Sequence, residues 1–271
     1  MTHRLIALYL VGLALTACSP EAEKPPPATC SGRCGQRNPG IVGHVPPPNN
    51  TGGEGGGPSG GDDSPVTLHG DVRSLDDITA LASSPFRDPV DLLVEGVTGD
   101  VSGRWNALDP FSLDGVKRAG VTWTQATPAQ GDALRTLQPV DTSSPNASGV
   151  VETSLSVVRE SELDTAFAVI SMPITRDPGS AQAILIVLKS GRPASGVRVL
   201  APGAAAVIYT DNGAFTDTAT FTDGSGIAIL ANVPSVAWPG SGYSVTLSGT
   251  VTGRWDLKLV SGGVLLAAIG D

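Results

Sequence analysis

From Val66 onward, apolar residues come in short runs separated by turn-forming residues. The runs at 66–68, 92–97, 121–124, 150–157, 165–171, 183–188, 196–200, 206–210, 218–222, 227–232, 243–248, 257–260 and 264–269 predict β-strands. At 150–157 the alternation has period two, with Val151, Thr153, Leu155 and Val157 on one side; Tyr243, Val245 and Leu247 repeat it. Asp211-Asn212-Gly213 and Asp223-Gly224-Ser225-Gly226 supply turns between runs. Many short strands at this spacing predict an all-β sandwich architecture. One stretch reads as helical. Ser74-Leu75-Asp76-Asp77 has the form of a capping box, Ile78 and Leu81-Ala82 follow at helical spacing, and Pro85 stops it after one or two turns.

The first 65 residues follow a different pattern. Met1-Thr2-His3-Arg4 is a short positive start, and 5–17 is an almost unbroken apolar run. About 13 residues is short of the ~20 that span a bilayer as a helix, and fits the apolar region of a secretory signal peptide. Residues 19–65 are dominated by Pro25-Pro26-Pro27, Pro46-Pro47-Pro48 and the glycine run at 52–57. Such a segment cannot bury enough apolar area to offset its ordering entropy, so a disordered tether is expected, with a reach of ~35–40 Å. His44 falls within it. Cys30 and Cys34, spaced Cys-x₃-Cys, are a disulfide candidate in an oxidising compartment; free thiols or intermolecular bridges are the alternatives.

The run ends in Leu15-Thr16-Ala17-Cys18, and here the chain resembles a bacterial lipoprotein. The resemblance implies a signal peptide at 1–17, a diacylglycerol thioether on Cys18, a partner membrane reached through that N-terminal lipid, and a tether over 18–65. Ser19, where Asp would favour the inner membrane, implies the outer membrane. Several acyl chains give durable anchoring where one is marginal.

Composition narrows the functions available. The chain has 17 basic and 26 acidic residues and a pI near 4.7, a balance opposite to that of a nucleic-acid binder. With three His in the chain, a triad or metal site in the body would rest on His69, expected on an edge strand facing water. No P-loop occurs, nor a Gly-x-Ser-x-Gly turn with a plausible nucleophile. Asp211, Asp217 and Asp223 read as solvated turns, since their spacing is not that of a calcium loop. Glu160, Glu162 and Asp164 read as an inter-strand loop. Asn49-Asn50-Thr51 and Asn146-Ala147-Ser148 match the glycosylation sequon without consequence in such a protein. No catalytic residue, metal ligand or cofactor is assigned. Of four Trp, Trp123 is expected in the core, and Trp238, in a Pro-bounded loop, is the ligand-binding candidate that could stack on a sugar or a partner protein; a core plug or loop anchor is its other reading.

The body carries two further resemblances. Gly191-Arg192-Pro193-Ala194-Ser195-Gly196-Val197-Arg198-Val199, then Thr222-Asp223-Gly224-Ser225-Gly226, Asn232-Val233-Pro234 and Tyr243-Ser244-Val245-Thr246-Leu247 resemble, over about 181–250, a carboxypeptidase-regulatory-like, or transthyretin-like, domain. Ala119-Gly120-Val121-Thr122-Trp123-Thr124 and Ser148-Gly149-Val150-Val151-Glu152-Thr153 resemble, over about 90–172, immunoglobulin-like domains of the invasin type. Together they imply two immunoglobulin-like/transthyretin-like β-sandwiches, at 66–175 and 176–271; the alternative is one larger irregular sandwich. Val101-Ser102-Gly103-Arg104-Trp105 echoes Val251-Thr252-Gly253-Arg254-Trp255. Neither family is catalytic in itself. The expectation is a non-enzymatic, lipid-anchored cell-envelope protein with a structural, adhesive or protein-binding role, whose partner is an envelope protein or polysaccharide. A carbohydrate-binding accessory module is the second reading, and a carboxylate hydrolase the third.

Overall fold

The longest apolar runs become the most deeply placed strands. The computed structural model describes residues 43–46 and 64–271, apart from 107, 171, 172 and 217. Among the described residues it is an all-β fold with one short helix. Strands are numbered along the chain. The largest sheet runs β15 (Ala214–Thr216), β14 (Ala206–Asp211), β16 (Ile227–Val233), β11 (Ala181–Lys189), β19 (Val264–Gly270), β9 (Thr136–Val140), β7 (Thr122–Pro128), β4 (Val90–Val94), β5 (Val101–Trp105). Onto it pair β1 (His44–Val45), alongside β19, and β12 (Arg192–Pro193), alongside β11. The second sheet runs β3 (Ala82–Pro85), β2 (Val66–Asp77), β10 (Val150–Arg159), β8 (Ala133–Leu134), with β6 (Phe111–Val116) also on β2. The third runs β13 (Val197–Leu200), β17 (Ser241–Gly249), β18 (Gly253–Leu259). Strands from both expected modules share one ladder: β19 pairs in parallel with β11 along its length and with β9 at Val264↔Thr136 and Leu265↔Leu137.

β11 and β19 are apolar without alternation because both their faces are covered. Ala183, Leu185 and Val187 face a cluster with Val199, Val245 and Trp255 of the third sheet. Ile184, Ile229 and Leu266 pack with Leu163 and Phe167 of the helix α1 (Glu160–Ala168). A third cluster joins Leu92 and Val94 of the large sheet to Leu68, Phe111 and Leu155 of the second.

Four local expectations are corrected. The run at 165–171, expected as a strand, largely belongs to α1: Leu163, Ala166 and Phe167 lie at i, i+3 and i+4 and bury together. Glu160 and Glu162, expected in a loop, occupy the first helical turn, where carboxylates suit the helix dipole, and Glu160 pairs with Arg176. The helix expected at 74–81 is instead the end of β2 and a turn into β3. There Asp77 accepts from the Thr79 hydroxyl and the Ala80 N–H, and Leu81 adopts a left-handed φ of 51°. Residues 218–222 form no strand. Their backbone serves the edge of β13, with the Thr222 N–H donating to Val197 O.

The pentapeptide echo is structural. β4–β5 and β17–β18 are both antiparallel hairpins. Val90-Asp91-Leu92 faces Gly103-Arg104-Trp105, and Val245-Thr246-Leu247 faces Gly253-Arg254-Trp255. In each, Trp lies opposite Val and Gly opposite Leu. Each indole folds over the glycine two residues earlier: a Cβ on Gly103 would stand 2.3 Å from the Trp105 ring, and one on Gly253 2.7 Å from the Trp255 ring. Glycine is needed at both positions because the ring occupies the space of a side chain.

Candidate functional site

Trp238 sits in the loop before β17, half-buried against the first cluster. Its indole N–H donates to Asp100 Oδ2 at 2.7 Å, and the Lys258 ammonium lies 4.7 Å from the ring centroid. Lys258 Nζ in turn donates to Glu95 Oε1 at 2.6 Å, while Glu95 Oε2 accepts the Trp123 N–H at 3.1 Å. The turn between β4 and β5 supplies Glu95 and Asp100; the C-terminal half supplies Trp238 and Lys258. This cluster therefore ties the two halves together, and it uses the indole N–H and one ring face of Trp238 within the chain. Trp255 is sealed at 2 % exposure, and Trp123 packs half-buried on the same cluster.

A cavity of about 210 Å³ opens at the other end of the β4–β5 hairpin, beside β2 and β3. Its apolar wall includes Phe86 and Trp105, with Leu108 at the exposed rim. Trp105 meets Phe111 edge to face, at 6.0 Å between centroids. Asp71, Asp88 and Asp109 also line the cavity. Asp71 lies 3.3 Å from the Arg73 guanidinium, which also donates to the Ser83 hydroxyl and carbonyl. The carboxylates of Asp88 and Asp109 have no hydrogen-bond or ion-pair partner among the described residues.

The remaining expected residues are dispersed. His69 is not on an edge strand: β2 is flanked by β10 and β6 at that point, pairing His69 with Glu152 and Ser112. Its side chain does reach solvent, with Nδ1 2.8 Å from Glu152 Oε2. His44, expected in the tether, lies in β1, with Nε2 3.0 Å from the Gly270 carbonyl. Val45, before Pro46, is held extended by the proline and buries at 6 % exposure. Asp223 is pushed up by burial but pulled down further by the Ser225 and Thr210 hydroxyls, and stands below the ordinary carboxylate value. Asn146 closes a turn by accepting the Ser148 and Val150 N–H groups. Among the described residues, no three His, Cys, Asp or Glu converge to hold a metal ion. Cys18, Cys30, Cys34 and Asp217 lie outside the described residues.

The Glu95–Lys258 pair and the Trp238–Asp100 contact had no sequence signal. Lys258 stands 163 residues from Glu95, and Trp238 138 from Asp100, with no motif joining them. The echo around Trp105 was the one available pointer to the cavity wall.

No family model matches the chain, and no curated protein matches it. Among solved structures, it is similar to the Bacillus anthracis TIE protein (10 % identity, TM-score 0.22), over 75 % of this chain and 33 % of that one. It is also similar to a putative cell adhesion protein from Bacteroides eggerthii (9 %, TM-score 0.24, over 77 % and 87 % of the two chains). A third similarity is to the major pilin T-13 of Streptococcus pyogenes (8 %, TM-score 0.19, over 77 % and 97 %). The chain thus spans a third of the length of the first. Superpositions this loose transfer no function to this chain.

Proposed function

We propose that this chain is a non-enzymatic, lipid-anchored protein of the cell envelope, held at the outer membrane through Cys18, with a structural or adhesive role toward an envelope protein or polysaccharide. The observation that carries the reading is Leu15-Thr16-Ala17-Cys18 closing the apolar run, ahead of a Pro- and Gly-rich segment and an all-β body. The body's chemistry is consistent with a quiet scaffold. His69 faces Glu152, His44 faces a backbone carbonyl, and Asp223 is occupied by two hydroxyls. Within the expected tether, His44–Val45 pairs as β1 alongside β19.

The test is metabolic labelling with an alkyne fatty acid in the native bacterium, followed by fractionation and envelope cross-linking. Label on the wild type, none on Cys18→Ser, and cross-linked envelope partners lost with the anchor support the reading. An unmodified Met1 in soluble material overturns the anchor. An identical cross-linking pattern for wild type and Cys18→Ser overturns the adhesive role.

A further inference from the structure

We infer that the cavity beside Trp105 is a binding site for an organic cation, a primary alkylammonium such as a lysine side chain. Two independent features point there. The first is the pair of matching hairpins. In β17–β18 the indole over glycine is closed off completely, with Trp255 at 2 % exposure. In β4–β5 the same arrangement, with the same Val and Leu opposite, leaves Trp105 half-buried on a cavity of about 210 Å³. The hairpin therefore does not require an open indole; at this copy the fold leaves it open.

The second feature is the charge of the walls. Asp71, Asp88 and Asp109 contribute three carboxylates and no lysine or arginine lines the cavity among the described residues. Arg73 offsets Asp71 in part, but its guanidinium is already held by Ser83. The carboxylates of Asp88 and Asp109 are left without partners among the described residues. An anion is repelled by this field. A metal ion needs several oxygens converging on one point, and here no three acidic groups converge so closely. A cation with an apolar stem satisfies both halves of the site. Its methylenes lie along Phe86 and Trp105, and its ammonium donates hydrogen bonds to the carboxylates and is attracted by the indole face. The volume is below the ~300 Å³ at which drug-sized pockets begin, so it suits one side chain or a small amine. The inference does not depend on the anchor, since an unlipidated chain would carry the same cavity.

The test follows the indole N–H resonances of the full-length protein by NMR, with the Trp105 signal assigned by Trp105→Phe. The probes are Nα-acetyl-lysine methylamide, cadaverine, the uncharged Nα-acetyl-norleucine methylamide, and methyl glucoside. The two amines should shift the Trp105 signal saturably, and more weakly as salt is raised. Affinity should fall about tenfold in Asp88→Asn/Asp109→Asn, an isosteric double change of two partly screened charges. Stronger binding of the lysine derivative assigns a protein side chain as occupant; stronger binding of cadaverine assigns a free polyamine. Equal binding of the norleucine derivative, binding of the glucoside without the amines, or no shift of Trp105 by either amine overturns the proposal. Unchanged near-ultraviolet circular dichroism in the double variant ensures that a lost shift reports lost charge.

Discussion

The strand β1 offers a sharp test of how the N-terminal segment is fastened to the body. Gly43 precedes it, and a Cβ there would stand 1.4 Å from the Pro139 carbonyl oxygen. The clashing atoms, of Pro139 and Val140, are all backbone, so no rotamer relieves the contact, and Gly43→Ala must lift the strap from β19. Lifting it exposes Val45, worth ~1.5–3 kcal/mol when buried. It also breaks the hydrogen bond from the Ala268 N–H to Gly43 O at 3.2 Å and the contact of His44 Nε2 with Gly270 O at 3.0 Å. At ~1 kcal/mol each, these bring the loss to ~4 kcal/mol. Freeing the strap returns ~1–2 kcal/mol of backbone entropy for each of residues 43–45, or ~3–6 kcal/mol, since the Pro46 ring already fixes its φ. The two sides cancel to within about 2 kcal/mol. Gly43→Ala should therefore lower the Tm of the body by no more than ~8 °C. Amide exchange at Ala268 should meanwhile accelerate by at least about tenfold, because its acceptor has gone. Hydrogen exchange read by NMR, alongside a thermal melt, measures both. Unchanged exchange at Ala268 would falsify the strap. A Tm drop well beyond ~8 °C would show instead that β1 belongs to the cooperative core.

Three further outcomes are expected. Glu95→Gln and Lys258→Met should each destabilise the body by ~1–3 kcal/mol in urea titrations, since each strands a mostly buried partner, and the double variant should lose less than the sum; simple additivity would refute the coupling. Gly253→Ala should cost more than ~2 kcal/mol, because Trp255 is sealed and cannot yield, whereas Gly103→Ala should cost less, because Trp105 can swing into the cavity; the reverse order in chemical denaturation would refute the packing argument. Asp77 is held below the ordinary carboxylate value by the Thr79 hydroxyl, Asp91 by Arg104, and Asp177 by the Ser180 hydroxyl. A depressed folded value means stabilisation that is complete above about pH 4 and lost as pH falls through the folded values. The urea midpoint should stay level from pH 7 to 5 and drop below pH 4; a level midpoint down to pH 2.5 would contradict it.

Some of this molecule was legible in the sequence because burial leaves a local trace. The runs at 183–188, 227–232 and 264–269 are strands because an unbroken apolar segment bounded by turns has few other ways to pair its backbone while hiding its side chains. Asp223-Gly224-Ser225-Gly226 turns because Gly226 takes a φ of 70° and Asp223 binds the Ser225 N–H, both properties of those residues themselves. What a segment packs against leaves no such trace. The apolar residues around Phe167 suit a strand or a helix, and contact with Ile184 and Leu266 across the large sheet makes it a helix. Trp238 in a Pro-bounded loop reads as free to stack, until Asp100 and Lys258 arrive from 138 and 20 positions away in sequence to engage it. His44 finds its acceptor 226 residues on. The sequence alone determined where the chain extends and turns, since those follow from each residue's own conformational limits and hydropathy. Only the tertiary structure decided which indole is closed and which is open, because that depends on surfaces brought together from distant parts of the chain.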